Sequence, residues 1–280
     1  MVNKVINNKH GLHGRISTTI RLLPFNLYET KAYLKYKKIN WDLYDILQCY
    51  MVLGGIPHYL NQLDKRYTLP QNIDKLCFEK GGQLVNEFDQ VLLSLFTNSS
   101  LHKSIIIELS RKRKGLSRKV LNRNLGKGNN KAFTKAIDEL EQSGFILESP
   151  SFDQKTTKSL FRLNDEFCFF YLKYIQPNKN QGKGTWLHLY NSRSFDSWSG
   201  FAFEMLCMKH TPQIKKALGI SKVRTTTHSW TSKEAQKSYD KSGAQIDMLL
   251  KRQDRRIDIC LLYTSPSPRD ATLSRMPSSA

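Results

Sequence analysis

The stretch YMVLGGIPHYL at residues 50–60 decides the fold of the N-terminal part of this chain. It joins two apolar runs through a pair of glycines and a proline. Adjacent glycines tolerate unusual φ values and let another backbone approach closely. Ile56 precedes a proline and is disfavoured in the α conformation, whereas Pro57 suits the first turn of a new helix. Spacing alone predicts a helix–turn–helix corner inside a core.

The residues before this corner have helical spacing as well. Residues 27–36 are predicted to form one helix. A second helix begins at Trp41 and Asp42 and runs into the glycine pair. Its apolar positions share one face: Leu43, Ile46, Leu47, Tyr50 and Met51.

Three motifs in order resemble the back end of the archaeal-type AAA+ ATPases, a STAND-like family. They are GLHGR at 11–15, LLPFNLYET at 22–30 and GGIP at 54–57. The resemblance implies that residues 1–65 are the C-terminal end and lid of an ATP-binding AAA+ domain, with self-association possible through that module. It also places Arg15 in a loop on the nucleotide side, where it could sense phosphate. A solvated loop arginine is the alternative.

ATP chemistry needs a glycine-rich GxxxxGK[ST] loop and a carboxylate strand for Mg²⁺, and neither occurs in the 280 residues. The resemblance implies that both motifs precede Met1, so we expect an N-terminally truncated fragment. ATP and Mg²⁺ are cofactors of the parent family. We expect no cofactor, no ATP binding and no ATP hydrolysis for this chain.

The net charge, the apolar runs and the cysteines of the chain limit the classes of partner and location that we expect. The formal net charge of +20 indicates a polyanionic partner, with nucleic acid (DNA) favoured over a membrane. The chain lacks an apolar run of 18 residues, so we expect no transmembrane helix. Five scattered cysteines without a CxxC pair indicate reduced, buried thiols and a cytoplasmic protein.

The middle of the chain predicts a helical connector at 66–99, a winged helix at 100–176 and a linker at 177–185. Three helical patterns precede two short strands, around 145–148 and 159–163, and this is the winged-helix order. Ser117 is a plausible N-cap of the second helix, and Gly144 ends the third. The residues predicted to contact DNA are Arg111, Arg113, Arg118, Lys119, Lys131, Lys135, Lys155 and Lys158. The alternative is a connector that binds protein through the same fold.

Residues 186–259 contain two carboxylates in apolar surroundings, Glu204 and Asp247. A buried carboxylate is costly unless it binds something, so Asp247 suggests a metal ligand. The pattern W-x-G-x-x-F-E at 198–204 and the stretch GAQIDMLLKRQDRRIDIC at 243–260 resemble a restriction-endonuclease-like domain of the PD-(D/E)xK class. This class hydrolyses phosphodiesters with a metal ion. The resemblance assigns Asp247 and Glu204 as catalytic remnants. However, Leu261 and Tyr263 stand where the class has Glu and Lys, so we expect an incomplete nuclease-like domain without cleavage.

The last residues, 260–280, resemble the in-frame translation of a commercial transposon-type sequencing adapter. We expect them to be an artefactual, disordered tail and exclude them from the fold.

The sequence thus predicts an α+β chain, mostly helical: an AAA+ lid remnant, a winged helix and an incomplete restriction-endonuclease-like α/β domain. The expected function is that of a fragment of an AAA+ ATPase associated with DNA. The alternatives are a winged-helix module that binds DNA or protein without catalysis, and a remnant of a metal-dependent nuclease.

Overall fold

The glycine turn at residues 54–55 lies between two helices of the computed structural model, which describes residues 18, 22–112, 115–126, 131–149, 159–190, 192–231 and 245–260. Over these residues the fold is α+β, as predicted, with many helices and two small antiparallel sheets. The chain divides into two compact units. Unit 1 comprises Met1–Ile107 and Glu166–Tyr190, and unit 2 comprises Glu108–Asp165 and Asn191–Ala280.

The regular elements that the structure describes in unit 1 are all helices. Its helices are α1 (Leu27–Tyr36), α2 (Leu43–Leu53), α3 (Pro57–Asn61), α4 (Leu69–Cys77), α5 (Glu87–Leu95), most of α6 (Ser99–Ser110), α9 (Glu166–Phe170), α10 (Gln176–Asn178) and α11 (Thr185–Leu189). A π-helical turn, Tyr171–Ile175, joins α9 to α10.

Local sequence explains where the helices of unit 1 begin. The side chain of Asn26 accepts a hydrogen bond from the backbone N–H of Glu29, and the carboxylate of Glu29 accepts one from the backbone N–H of Asn26. Thr68 and Gln71 form the same capping box before α4. Asp42 caps α2. Each cap satisfies backbone donors that the first helical turn leaves unpaired.

The core of unit 1 is rich in aromatic rings that come from both ends of the unit's sequence. Trp186 is buried and stacks on Phe78, with ring centroids 5.9 Å apart. Phe170 and Tyr174 contact the same tryptophan edge-on. The segment from Glu166 to Tyr190 therefore completes the core that residues 27–107 begin. Four aromatic residues of this segment are buried: Phe167, Phe170, Tyr171 and Tyr174.

Unit 2 begins with a small sheet and two helices. Strand β1 (Leu116–Ser117) is followed by α7 (Arg118–Asn124), α8 (Lys131–Gln142), β2 (Ile146–Ser149) and β3 (Leu160–Leu163). The sheet is antiparallel in the order β1-β3-β2. The inner face of α8 buries four residues that recur at helical spacing: Phe133, Ala136, Ile137 and Leu140. Ser117 caps α7 as predicted, by accepting from the N–H of Val120.

The rest of unit 2 contains α12 (Arg193–Lys209), α13 (Thr211–Ala217) and three strands. These are β4 (Thr225–Thr231), β5 (Gln245–Arg252) and β6 (Ile257–Cys260), in the sheet order β4-β5-β6. Met248 of β5 pairs with Cys260 of β6, so Cys260 belongs to a strand. Residues 261–280 lie outside the described part of the chain.

Candidate nucleic-acid interface

The lysines and arginines of unit 2 are concentrated in one interval of the sequence. From Arg111 to Lys135 there are ten Lys and Arg residues and no Asp or Glu. The interval covers β1, α7 and the first half of α8. Such a block is attractive to polyanions, because no carboxylate within it offsets the positive charge.

Helix α8 divides its charges along its length. Lys131 and Lys135 are exposed in its first half. Carboxylates follow in its second half, at Asp138, Glu139 and Glu141. The N-terminal half, where the helix dipole is also positive, is therefore the part suited to phosphate.

The predicted contacts differ in how the structure presents them. Lys119 on α7 is exposed. Arg118 is half-buried, and its Nε and Nη2 atoms are shielded from solvent without a hydrogen-bond partner among the described residues. Lys119 is therefore better placed than Arg118 to reach a phosphate.

Two of the predicted cations form ion pairs within their own helical turn. Arg111 lies 3.7 Å from a carboxylate oxygen of Glu108, and Lys135 lies 3.8 Å from one of Glu139. Both basic side chains are about 70% exposed. Exposed pairs of this kind contribute about 0 to 1 kcal/mol, so a phosphate could displace either carboxylate.

Four residues of the predicted sites lie outside the described residues: Arg15, Arg113, Lys155 and Lys158.

The two carboxylates of the nuclease-like pattern lie in unit 2. Asp247 is buried on β5. Glu204 is half-buried on α12, which packs against β5. Among the described residues, no group of three or more His, Cys, Asp and Glu side chains comes together as a metal site would require.

Arg162 on β3 is a charged residue that the sequence did not indicate, and its charge interacts with that of Glu204. Burial lowers the pKa of its guanidinium, and the negative charge of Glu204 opposes that shift. Its Nη1 lies 3.8 Å from the sulfur of Met208. Only its place in the apolar strand LFRL could have drawn attention to it.

The glycine turn of unit 1 is a contact between two stretches of backbone. The N–H of Phe25 donates to the carbonyl of Gly55 at 2.8 Å, and the hydroxyl of Tyr50 donates to the carbonyl of Phe25 at 2.9 Å. A methyl group on Gly55 would lie 1.8 Å from that carbonyl oxygen. Gly55 is therefore required because no side chain fits between the two backbones.

Gly54 has a different reason to be glycine. Its φ is +63°, and an added Cβ would lie 2.9 Å from a carboxylate oxygen of Glu166. Glu166 is buried, and burial together with the charges of Glu166 and Glu29 raises the pKa of Tyr50. The turn thus joins residues 25, 50 and 166 of unit 1.

A second buried carboxylate in unit 1 also binds backbone. Asp74 on α4 accepts from the N–H of Gly184 at 2.7 Å and from that of Trp186 at 2.8 Å. These are donors at the start of α11, so Asp74 caps a helix more than 100 residues away in sequence. Its function is structural.

Comparison with known proteins yields one curated relative. An uncharacterized protein of Methanocaldococcus jannaschii, MJECL04, is 22% identical to this chain over 225 residues, covering 77% of the chain and 48% of the relative. The chain thus spans about half the length of the curated relative that it matches. No family model and no solved structure matches the chain. Of the helices that the structure describes, none has the length and apolarity to cross a bilayer.

Proposed function

We propose that this chain binds duplex DNA through a winged helix in the region 99–163, as part of a protein related to the AAA+ ATPases. The observation that carries the proposal is the order of elements. A helix, a short strand, two helices and a hairpin follow one another, and the first strand pairs with the second strand of the hairpin. In the winged-helix layout the last of the three helices enters the major groove.

The charges support this assignment. In α8, the helix that would enter the groove, Lys131 and Lys135 are exposed, and Thr134 stands between them. Lys119 on α7 is exposed as well. Cations flanking such a helix hold phosphates and fix its position, while short polar side chains can reach base edges.

The relation to AAA+ ATPases is proposed on the glycine turn. The contact of Gly55 with Phe25 joins LLPFNLYET and GGIP, two of the three motifs that carry the resemblance. The chain contains no GxxxxGK[ST] sequence, so ATP binding is proposed for the parent family and not for these 280 residues.

A connector that binds protein is the second candidate, since Arg111 and Lys135 already have carboxylate neighbours. A metal-dependent nuclease fits the residues poorly. Leu261 and Tyr263 replace the Glu and Lys of the motif, and Glu204 lies near Arg162.

The test uses the 280-residue chain and a fluorescent 20-base-pair duplex of mixed sequence, measured by anisotropy at several salt concentrations. Replacing Lys131 and Lys135 by alanine should weaken binding about tenfold and reduce the dependence of log K on log salt by about 2. Lys216 and Lys222, two exposed lysines elsewhere in unit 2, are replaced together as the control. Equal weakening by both pairs, or by neither, would favour the connector.

A further inference from the structure

Helix α1 in unit 1 exposes two lysines that lie between two tyrosines in the sequence. Tyr28, Lys31, Ala32 and Lys35 recur at the spacing of one helical face, and Tyr36 flanks them. All five are exposed, and the two tyrosines are about 80% exposed: 80% for Tyr28 and 82% for Tyr36. The buried residues of α1, Thr30 and Leu34, lie on the opposite side.

The exposed tyrosines are not explained by packing. A tyrosine buries a large apolar surface when it contributes to a core, and these two leave most of that surface in water. They are about 12 Å apart along the helix axis, since eight residues separate them. Two rings two turns apart on one face form a surface on which planar groups can stack.

Lysines outnumber carboxylates among the exposed residues of α1. Lys31 and Lys35 form no ion pair with any described residue. Glu29, the one carboxylate of α1, has its side chain bonded to the N–H of Asn26, 2.8 Å away. Lys38, which follows the helix, is exposed too. The face therefore attracts anions and repels cations.

The glycine turn fixes the aromatic rings at one end of this face. The backbone of Phe25 is bonded on both sides, to Gly55 and to Tyr50. The Phe25 ring lies 5.5 Å from that of Tyr33, which lies 6.4 Å from that of Tyr36. Tyr36 is thus supported from behind by a row of rings that begins at the turn.

We infer that the exposed face of α1 binds unpaired nucleic acid, with bases stacked on Tyr28 and Tyr36 and phosphates near Lys31, Lys35 and Lys38. Stacking on aromatic side chains next to basic residues is how proteins bind single strands without sequence preference, because every base has a flat face. A duplex offers no free base face along its length. An acidic protein partner would use the lysines but would not need two exposed rings.

This inference is independent of the proposed function, since it concerns other residues in another unit. The two surfaces would allow one chain to hold paired and unpaired nucleic acid. The substrate class is single-stranded DNA or RNA. A ribose contact is not required, so both sugars should serve.

The experiment measures anisotropy of fluorescein-labelled oligo(dT) and oligo(U) of 20 nucleotides with the full 280-residue chain. To remove the contribution of unit 2, Lys131 and Lys135 are replaced by alanine in every variant. Tyr28→Ala and Tyr36→Ala should each raise Kd at least about fivefold, and phenylalanine at either position should restore binding. Lys31→Ala with Lys35→Ala should reduce the salt slope by about 1.4, because single strands lose about 0.7 per phosphate contact.

Tyr44→Ala is the matched control. Tyr44 is 63% exposed in the first turn of α2, beside Asp42 and Asp45 instead of lysines. The Tyr44→Ala variant should bind oligo(dT) with the same affinity as the parent. The proposal is overturned if Tyr44→Ala weakens binding as much as Tyr28→Ala, if neither Tyr28→Ala nor Tyr36→Ala has an effect, or if the chain does not bind either oligonucleotide in 50 mM salt. Circular dichroism confirms that each surface variant keeps its helices.

Discussion

Helices α1 and α8 carry nearly the same basic segment in different surroundings. α1 contains Lys31-Ala32-Tyr33-Leu34-Lys35, and α8 contains Lys131-Ala132-Phe133-Thr134-Lys135. In both, the lysines are exposed, whereas Phe133 is buried and Tyr33 is half-buried. The flanks differ: α1 adds exposed Tyr28 and Tyr36, whereas α8 continues into the buried Ala136 and the exposed Asp138. We propose that the residues between and beside the lysines determine whether each helix binds duplex or unpaired nucleic acid.

The supports of the two helices differ as well. α1 is held by a backbone contact at a glycine and by rings, whereas α8 packs an apolar stripe on a hairpin.

Gly55→Ala should destabilise unit 1 by about 3 kcal/mol or more, because the new methyl group would lie 1.8 Å from the Phe25 carbonyl oxygen. Hydrogen exchange should show loss of protection in α1 and α2, with α8 still protected. Gly81→Ala is the control: it meets nothing within 4 Å and costs only about 1 kcal/mol for its positive φ. Equal loss in α8 would mean that the two helices share one cooperative unit.

Asp74→Ala should cost about 2 kcal/mol, since two backbone donors at the start of α11 lose a charged acceptor in a buried place. Urea unfolding measures the change. Asp138→Ala, on the exposed face of α8, should stay within about 0.5 kcal/mol of the parent. A small effect of Asp74→Ala would show that α11 is held by the packing of Trp186 alone.

Substitutions in the two helices should affect the binding of different ligands. Lys131→Ala with Lys135→Ala should weaken duplex binding about tenfold and change oligo(dT) binding less than about twofold. Tyr28→Ala with Tyr36→Ala, in the otherwise unaltered chain, should weaken oligo(dT) binding about tenfold and change duplex binding less than about twofold. Parallel titrations of four proteins with two ligands give the full cycle. If both double variants weaken the binding of both ligands equally, the two helices do not discriminate between duplex and unpaired nucleic acid.

The smallest effect concerns pH and unit 2. Burial lowers the pKa of His210 at the end of α12, with a contribution from the charge of Lys209, while its bond to the Leu206 carbonyl opposes the shift. Its neutral form is thus favoured in the fold. The associated stability is fully present above the unfolded pKa of about 6.5 and is lost as pH falls below it. His210→Gln should reduce the pH dependence of the unfolding midpoint between pH 7 and 5. An unchanged pH dependence would exclude His210 as its source.

Sequence reasoning predicted well where local chemistry decides the structure. The predicted start of α2 at Asp42 and the predicted cap of α7 at Ser117 are both confirmed, and each rests on a side-chain cap. The apolar stripe of α8 follows from helical period, and the hairpin of β2 and β3 from two short apolar runs. The caps and the apolar stripe need only neighbours within a few residues, and the two strands of the hairpin are consecutive elements of the sequence.

Features that depend on distant contacts were missed. β1 has two residues and exists because β3 pairs with it. β4 is rich in threonine, without clear alternation, and its pairing shifts register between His228 and Trp230. The return of Glu166–Tyr190 to unit 1 depends on Asp74 and the aromatic core, and no local pattern encodes it. The same applies to Arg162 near Glu204.

The contact of Gly54 with Glu166 has a consequence for synthesis of the chain. The two residues are separated by 112 positions (166 − 54), and a ribosome adds about 5 to 20 residues per second. Roughly 6 to 22 s therefore pass between the emergence of the glycine turn and the arrival of its carboxylate partner. During that interval residues 108–165 can form their own hairpin, while unit 1 still lacks Trp186. A nascent chain stalled before residue 166 should thus be a good substrate for chaperones that recognise exposed apolar surface.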